Sequence, residues 1–190
     1  MPEHRLHSTT PLGGTTPRVD ELPGFRIAEN IGVALASIAS RLNRQAEFAT
    51  AAKRFFGFEM PAPGKVSGKA PYTAVWTGVD QWFVEAPFTS HENIAQIVKD
   101  GFGDNASVTE QTDGWACFDV GGPAAPAVFE RLCALDVHAM AGGAASRTTI
   151  EHIGCIVICR EARLQFSILG PRSSAASLHH ALMAAARSVA

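Results

Sequence analysis

Apolar and polar positions recur at two periods along this chain, and each change of period marks an element. At 115–120, Trp-Ala-Cys-Phe-Asp-Val is a short apolar run bounded by Gly114 and Gly121-Gly122, which predicts a strand. Directly after it, Val128, Phe129 and Leu132 fall at helical spacing behind Pro123, a residue suited to a first turn, and predict a helix that starts there. Residues 44–56 place Phe48, Ala51, Ala52 and Phe55 on one helical face, with Gly57 as the stop. Alternation predicts a strand at 25–29, and 72–76 and 81–86 read as a hairpin across Thr77-Gly78-Val79-Asp80. Further strands are predicted near 108–111, 148–151, 154–159 and 164–169, and a Pro, Gly and Lys loop at 61–71. Thr89 and Glu92 form a capping-box pattern for a helix at 89–99, ended by Gly101. A closing helix at 173–187 sets Leu178, Ala181, Leu182 and Ala185 on one face, which Val189 extends.

The elements occur twice. Arg54, Phe58, Glu59 and Met60 fall on Arg131, Leu135, Asp136 and Val137 at one constant offset, and Trp82 and Pro87 fall on Phe166 and Pro171 at a longer one. A loop insertion near Ala141-Gly142-Gly143 accounts for the difference. The alanine and leucine content of 33–42 favours a helix, but the repeat lays Ile38 on Trp115 and makes this stretch a strand. The expected fold is therefore α+β: two similar helix-and-antiparallel-strand units, about 24–104 and 105–190, related by pseudo-twofold symmetry in one domain, each sheet with helices on one side. Residues 1–23 hold four of the eleven prolines and no periodicity, and are expected to be an extended or disordered N-terminal arm.

Composition narrows the function classes. With 46% hydrophobic and 18% charged residues and a net charge of −2, the 190-residue chain falls in the ordinary globular class. Lysine and arginine are scattered, so the electrostatic footprint of nucleic-acid binding is missing. No apolar run approaches a membrane span and residues 1–23 carry no signal core, which makes a cytoplasmic protein the expectation. Cys117, Cys133, Cys155 and Cys159 all lie in apolar stretches, which suits buried, reduced thiols.

The candidate motifs do not assemble into a reaction centre. Gly64-Lys65 lacks the earlier glycine and the following Ser or Thr of a phosphate loop. Gly121-Gly122-Pro123 has the strand-to-helix context of a dinucleotide turn but not its glycine spacing, and reads as a helix cap. His91-Glu92 resembles a zinc-protease start, yet Ala95 stands where the second histidine is required. Cys155 and Cys159 on one strand face are roughly 13 Å apart, too far to share a metal ion. His179 and His180 point about 100° apart on their helix and are expected to be solvated. Asp80, Asp113 and Asp119 are read as turn or strand-end residues. No catalytic, cofactor-binding or metal-ligating residue is expected in the chain, which points to a non-catalytic subunit or binding module.

Five segments carry a family resemblance. These are Tyr-Thr-Ala-Val-Trp-Thr-Gly-Val-Asp-Gln-Trp-Phe-Val-Glu-Ala-Pro at 72–87, Thr-Glu-Gln-Thr-Asp-Gly-Trp-Ala-Cys-Phe-Asp-Val at 109–120, Glu-Arg-Leu-Cys-Ala-Leu-Asp-Val at 130–137, Arg-Thr-Thr at 147–149 and Phe-Ser-Ile-Leu-Gly-Pro-Arg-Ser at 166–173. Across 24–190 the chain resembles the gamma subunits of heterotetrameric sarcosine oxidase. Its hairpin and its Gly-Pro-Arg-Ser turn also resemble the wider aminomethyltransferase-like group, some of whose members bind folate.

The resemblance implies an aminomethyltransferase-like, folate-binding-domain-like fold and a place in a flavin-dependent oxidoreductase. That complex demethylates sarcosine to glycine, releasing formaldehyde or methylenetetrahydrofolate and hydrogen peroxide. It further implies alpha, beta and delta partner subunits holding FAD, FMN, NAD and tetrahydrofolate, none of them bound by this chain. Two alternatives stay open: a stand-alone folate-binding aminomethyltransferase-like module, and the small subunit of a related N-methyl amino acid dehydrogenase, such as one acting on N-methylglutamate.

Overall fold

The computed structural model describes residues 7–190. Eleven strands and five helices follow the two-period pattern. In chain order they are β1 Val19–Leu22, β2 Phe25–Glu29, β3 Val33–Ser40, α1 Gln45–Phe56, β4 Val66–Lys69, β5 Tyr72–Gly78, β6 Gln81–Pro87, α2 Phe88–His91 and α3 Ile94–Phe102. After them come β7 Ala106–Glu110, β8 Trp115–Gly121, α4 Ala125–Leu132, β9 Ala145–Ile150, β10 Ile153–Glu161, β11 Gln165–Pro171 and α5 Ala175–Val189.

The strands form two antiparallel sheets, a six-stranded one in the order β1-β2-β8-β11-β10-β9 and a five-stranded one in the order β4-β5-β6-β3-β7. Three apolar layers hold four tiers together. Ala36, Ile38 and Val84 of the five-stranded sheet pack against Phe48, Ala52 and Phe56 of α1 and Val98 and Phe102 of α3. Phe118, Val120, Phe166 and Ile168 of the six-stranded sheet pack against Val128 and Phe129 of α4 and Leu178 and Leu182 of α5. Between the sheets, Leu35, Val75 and Phe83 meet Cys117, Ile156, Ile158 and Leu169. Period-2 alternation produces this stacking, because Ala116, Phe118 and Val120 face the helices while Cys117 faces the opposite sheet. Each sheet is also joined by strands from the other half of the chain: β2, with β1 beside it, pairs with β8, and β7 pairs with β3.

The ladders revise the alignment of the halves. Ile38 lies opposite Trp82 and Val33 opposite Pro87, whereas Val120 lies opposite Phe166 and Trp115 opposite Pro171. Matching Trp82 to Phe166 therefore matches Ile38 to Val120, and Val33 to Trp115; the pairing of Ile38 with Trp115 is wrong in register. A helix-level offset cannot be carried back into the strand, since the strand-to-helix connections differ in length.

Several local expectations are corrected. Residues 1–6 of the expected arm lie outside the described residues, but 7–22 are not an unattached arm. Val19–Leu22 forms β1, paired with β2 from Val19 opposite Ala28 to Leu22 opposite Phe25. The 61–71 loop contains β4, whose short Val-Ser-Gly-Lys run shows too little alternation to be recognised. The helix expected at 89–99 is broken into α2 and α3 at Glu92 and Asn93, and neither start has a side-chain cap bond, so the Thr89–Glu92 box is not made. Gly101 lies inside α3 and does not end it. A Cβ there would sit 2.2 Å from the Phe55 ring, so glycine is needed for α1 and α3 to approach. Pro123 precedes α4, whose N-cap is Ala124 and whose first-turn proline is Pro126.

Candidate functional site

The inner faces of the sheets are apolar at one end and polar at the other. At the polar end a cleft of about 850 Å³ opens beside Asn30, Glu85, Asp119, Arg160 and Ser167, with Arg26 and Gln165 at its rim. Glu85 comes from the five-stranded sheet on β6, Arg160 from the six-stranded sheet on β10. Arg160 lies where the β10–β11 register shifts between Cys159 and Glu161, at the end of the inner-facing series Ile156, Ile158, Arg160. Ser167 and Asp119 are directly opposed on β11 and β8.

These side chains form one connected chain of bonds. The Arg160 Nη2 group donates to both Glu85 oxygens, at 2.9 and 3.0 Å, and Nε donates to Ser167 Oγ at 2.9 Å. Ser167 Oγ donates to Asp119 Oδ1 at 2.6 Å, and Asn30 Nδ2 donates to Asp119 Oδ2 at 2.7 Å. The Glu85 side chain is 8% exposed and the Arg160 side chain 33%. Burial pushes the Glu85 carboxyl up from its ordinary range; Arg160 opposes this by charge and hydrogen bonding, and the Asp119 charge adds to it. The Cys117 thiol beside the network is pushed well up, first by burial and then by the charges of Asp119 and Glu85.

The bonding describes a brace between the two sheets. Among the described residues Ser167 has no imidazole partner, and its oxygen already accepts from Arg160, which withdraws electron density from it. Both Asp119 oxygens are engaged. The Arg160–Glu85 pair ties one sheet to the other across their interior.

The residues singled out in the sequence are not brought together. Asp119 joins the network as an inner-face strand residue and not a strand end; Asp113 is exposed, 3.7 Å from Arg172. Asp80 takes a positive φ of 53° in the β5–β6 turn, and its carbonyl accepts from the Ser40 N–H. His91 bonds to Ser90 and, at 3.2 Å, to the Tyr72 hydroxyl. Lys65 pairs with Ala144, joining the start of β4 to the start of β9. Gly122 has a φ of 115°, and a Cβ there would lie 2.3 Å from the Gly24 carbonyl oxygen; it is a backbone crossing point, not a helix cap. His179 corrects the expectation of a solvated side chain: it is 8% exposed, with Nε2 2.8 Å from Asp20. The solvated reading failed because β1, which supplies Asp20, was unrecognised. Arg18, bonded to the same carboxylate, is the leading cause of the depressed Asp20 pKa, and His179 adds to it.

All four cysteines are free; Cys117, Cys155 and Cys159 are buried and Cys133 is half-buried. Among the described residues, no group of three or more His, Cys, Asp or Glu side chains is placed to hold a metal ion. Among them too, no helix is long and apolar enough to cross a membrane. Glu85, Arg160, Ser167 and Asn30 were missed in the sequence. The available signal was Glu85, a lone charge inside the apolar run Phe-Val-Glu-Ala; Arg160 ends its run beside Glu161 and gave no such signal.

No family model matches the chain, and no curated protein matches it. Solved structures do. A chain of heterotetrameric sarcosine oxidase from Corynebacterium sp. U-96, in complex with pyrrole 2-carboxylate, is similar at 18% identity with a TM-score of 0.78, covering 90% of this chain and 88% of that one. Glycine cleavage system aminomethyltransferase T from Bartonella henselae is similar at 12% identity with a TM-score of 0.60, covering 94% of this chain but 57% of that one. This chain thus spans a little over half of the aminomethyltransferase chain and nearly all of the oxidase chain. At these identities the likeness establishes the fold: mixed α/β with antiparallel sheets, similar to chains of both proteins.

Proposed function

We propose that this chain is a gamma-type, non-catalytic subunit of a heterotetrameric sarcosine oxidase, supporting the flavin-dependent demethylation of sarcosine by alpha, beta and delta partners. The observation that carries the reading is the end-to-end likeness, since about nine-tenths of each chain is covered in the comparison with the oxidase. The brace in the cleft supports it from the chemical side, because its charged side chains are spent on one another. In this reading FAD, FMN, NAD and tetrahydrofolate belong to the partners, in the cytoplasm. The halves of the chain are a duplicated unit about an approximate twofold axis. The order β4-β5-β6-β3-β7 is matched by β9-β10-β11-β8-β2, and superposing the halves with Trp82 on Phe166 and Phe58 on Leu135 tests it.

The test of function is reconstitution. Alpha and beta subunits are assayed with and without this chain, and visible absorbance, flavin reduction and peroxide formation are recorded on sarcosine and on N-methylglutamate. The expected result is no flavin absorbance in the isolated chain and sarcosine turnover that depends on its presence in the complex. Turnover by the chain alone sinks the proposal, as does full activity and stability of the partners without it. Preference for N-methylglutamate moves the assignment to the dehydrogenase. The aminomethyltransferase likeness favours a second reading, a folate-binding module, and saturable binding of tetrahydrofolate to the isolated chain would select it.

A further inference from the structure

The network braces the polar end of the space between the sheets; next to it, with Asn30 and Val33 shared in the lining, the space is covered by residues 8–18. Beneath this segment lies a cavity of about 210 Å³, roofed by Thr10, Pro11 and Thr15 and floored by Leu35, Cys117 and Leu169. The roof is fastened by polar bonds. Glu29, itself 6% exposed, accepts the Leu12 N–H at 2.8 Å and the Arg18 N–H at 2.7 Å, one on each carboxylate oxygen. Arg172 donates to the Thr9 carbonyl at 2.6 Å. Of residues 8–18 only Thr10 is buried, and Leu12 is partly buried against the helix-side core. The floor is different in kind, since Leu35, Cys117 and Leu169 are 3%, 7% and 1% exposed and belong to the inter-sheet layer.

We infer that residues 8–18 are a releasable strap, an intramolecular cover held by Glu29 and Arg172 that roofs a cavity with an apolar floor between the two sheets and lifts as a unit ahead of the rest of the fold. Segments that bury little apolar area and are held by a few polar bonds open at a small fraction of the global free energy. In the closed state the segment lies over Leu35, Cys117 and Leu169, and these are uncovered when the strap lifts. The inference is independent of which complex the chain joins.

Cys117 reports the opening, because its thiol lies under the strap while Cys155 and Cys159 lie in the helix-side core. Full-length protein is labelled with a maleimide under native conditions, and each cysteine is followed by peptide mass spectrometry in wild type, Glu29→Gln and Arg172→Ala. An amide at position 29 accepts one N–H and presents its own donors to the other. Replacing a charged acceptor in this way should raise the population with the strap lifted, and so the Cys117 rate, by about tenfold or more. Both variants are expected to accelerate Cys117 and leave Cys155 and Cys159 at wild-type rates. A parallel rise at all three cysteines means that the protein opens globally and overturns the strap; so does a Cys117 rate that stays at its wild-type value in both variants.

Discussion

Removing Arg160 leaves Glu85 buried without its cation, and the consequence can be followed in both magnitude and pH. Glu85 is 8% exposed on the face between the sheets, and both of its oxygens accept from Arg160. Breaking a buried ion pair by deleting one partner costs about 3–5 kcal/mol. Arg160 keeps a third of its side chain exposed, which places Arg160→Ala at the lower end, about 3 kcal/mol at pH 7. The pH dependence follows from the raised Glu85 pKa. A carboxyl whose folded pKa lies above its unfolded value contributes stability that is fully present below the unfolded value and lost as pH rises through the folded one. Arg160 holds that rise down in the wild type. Without it the folded pKa climbs further, the loss continues to higher pH, and the deficit of the variant shrinks on acidification as Glu85 takes up a proton. Equilibrium urea unfolding of both proteins at pH 7 and pH 5, followed by tryptophan fluorescence, measures the difference directly. Glu85→Leu combined with Arg160→Met should recover most of the loss, since an apolar pair of similar volume is often neutral or stabilising. A deficit under about 0.5 kcal/mol at pH 7, within the range of an ordinary surface change, refutes the brace. A deficit equal at the two pH values refutes the role assigned to Glu85.

Other positions give independent tests. Gly101→Ala brings a Cβ to 2.2 Å from the Phe55 ring and should cost about 1–3 kcal/mol through overpacking between α1 and α3; an unchanged thermal melt contradicts the packing. Trp82→Phe keeps the ring stacked on Phe48 at 5.2 Å but loses the 2.9 Å bond from Nε1 to the Pro61 carbonyl, for an expected loss of about 1 kcal/mol in urea. Thiol titration of the native wild type should find Cys133 first, with Cys117, Cys155 and Cys159 slow and all four reactive in denaturant. Burial pushes Cys155 up to about 11, and fast reaction of Cys155 in the native state contradicts its placement.

What the sequence made legible and what it hid differ in physical kind. Alternation placed β2, and apolar runs bounded by turn residues placed β5, β6, β8, β10 and β11, strands that lie between a helix layer and the other sheet and so bury residues on both faces. The repeat rescued β3, whose alanines and leucine favour a helix when taken alone. Four-residue β1 and β4 are too short for a period to show. Gly101 and Gly122 were misread for one reason: each was taken as a local stop, and each is there because another segment passes within van der Waals distance, Phe55 in one case and the Gly24 carbonyl in the other. Nothing in a local window announces such a neighbour. The polar network was hidden likewise, since Glu85 and Arg160 are 75 residues apart and on different sheets.

The exchange of β2 and β7 bears on how these pieces hold together. Were each half to build its own sheet from its own strands, the sheets would meet only through the apolar layer around Leu35, Phe83, Ile158 and Leu169, and such a layer fixes no angle or register by itself. Instead β2 is paired with β8 and β7 with β3, so backbone hydrogen bonds bind each half to the other. The short connection from β2 to β3 then has to pass from one sheet to the other, and it does so through Asn30, which donates to Asp119, and Gly32, whose N–H is taken by the Asn30 side chain. The polar network therefore grows out of the crossover: Asn30 fixes Asp119, Asp119 accepts from Ser167, and Ser167 accepts from Arg160, which reaches Glu85 on the far sheet. Glu29, the last residue before the same crossover, fastens residues 12 and 18 of the strap. One chain passage thus serves both the brace and the cover beside it, and a substitution there should be felt at both.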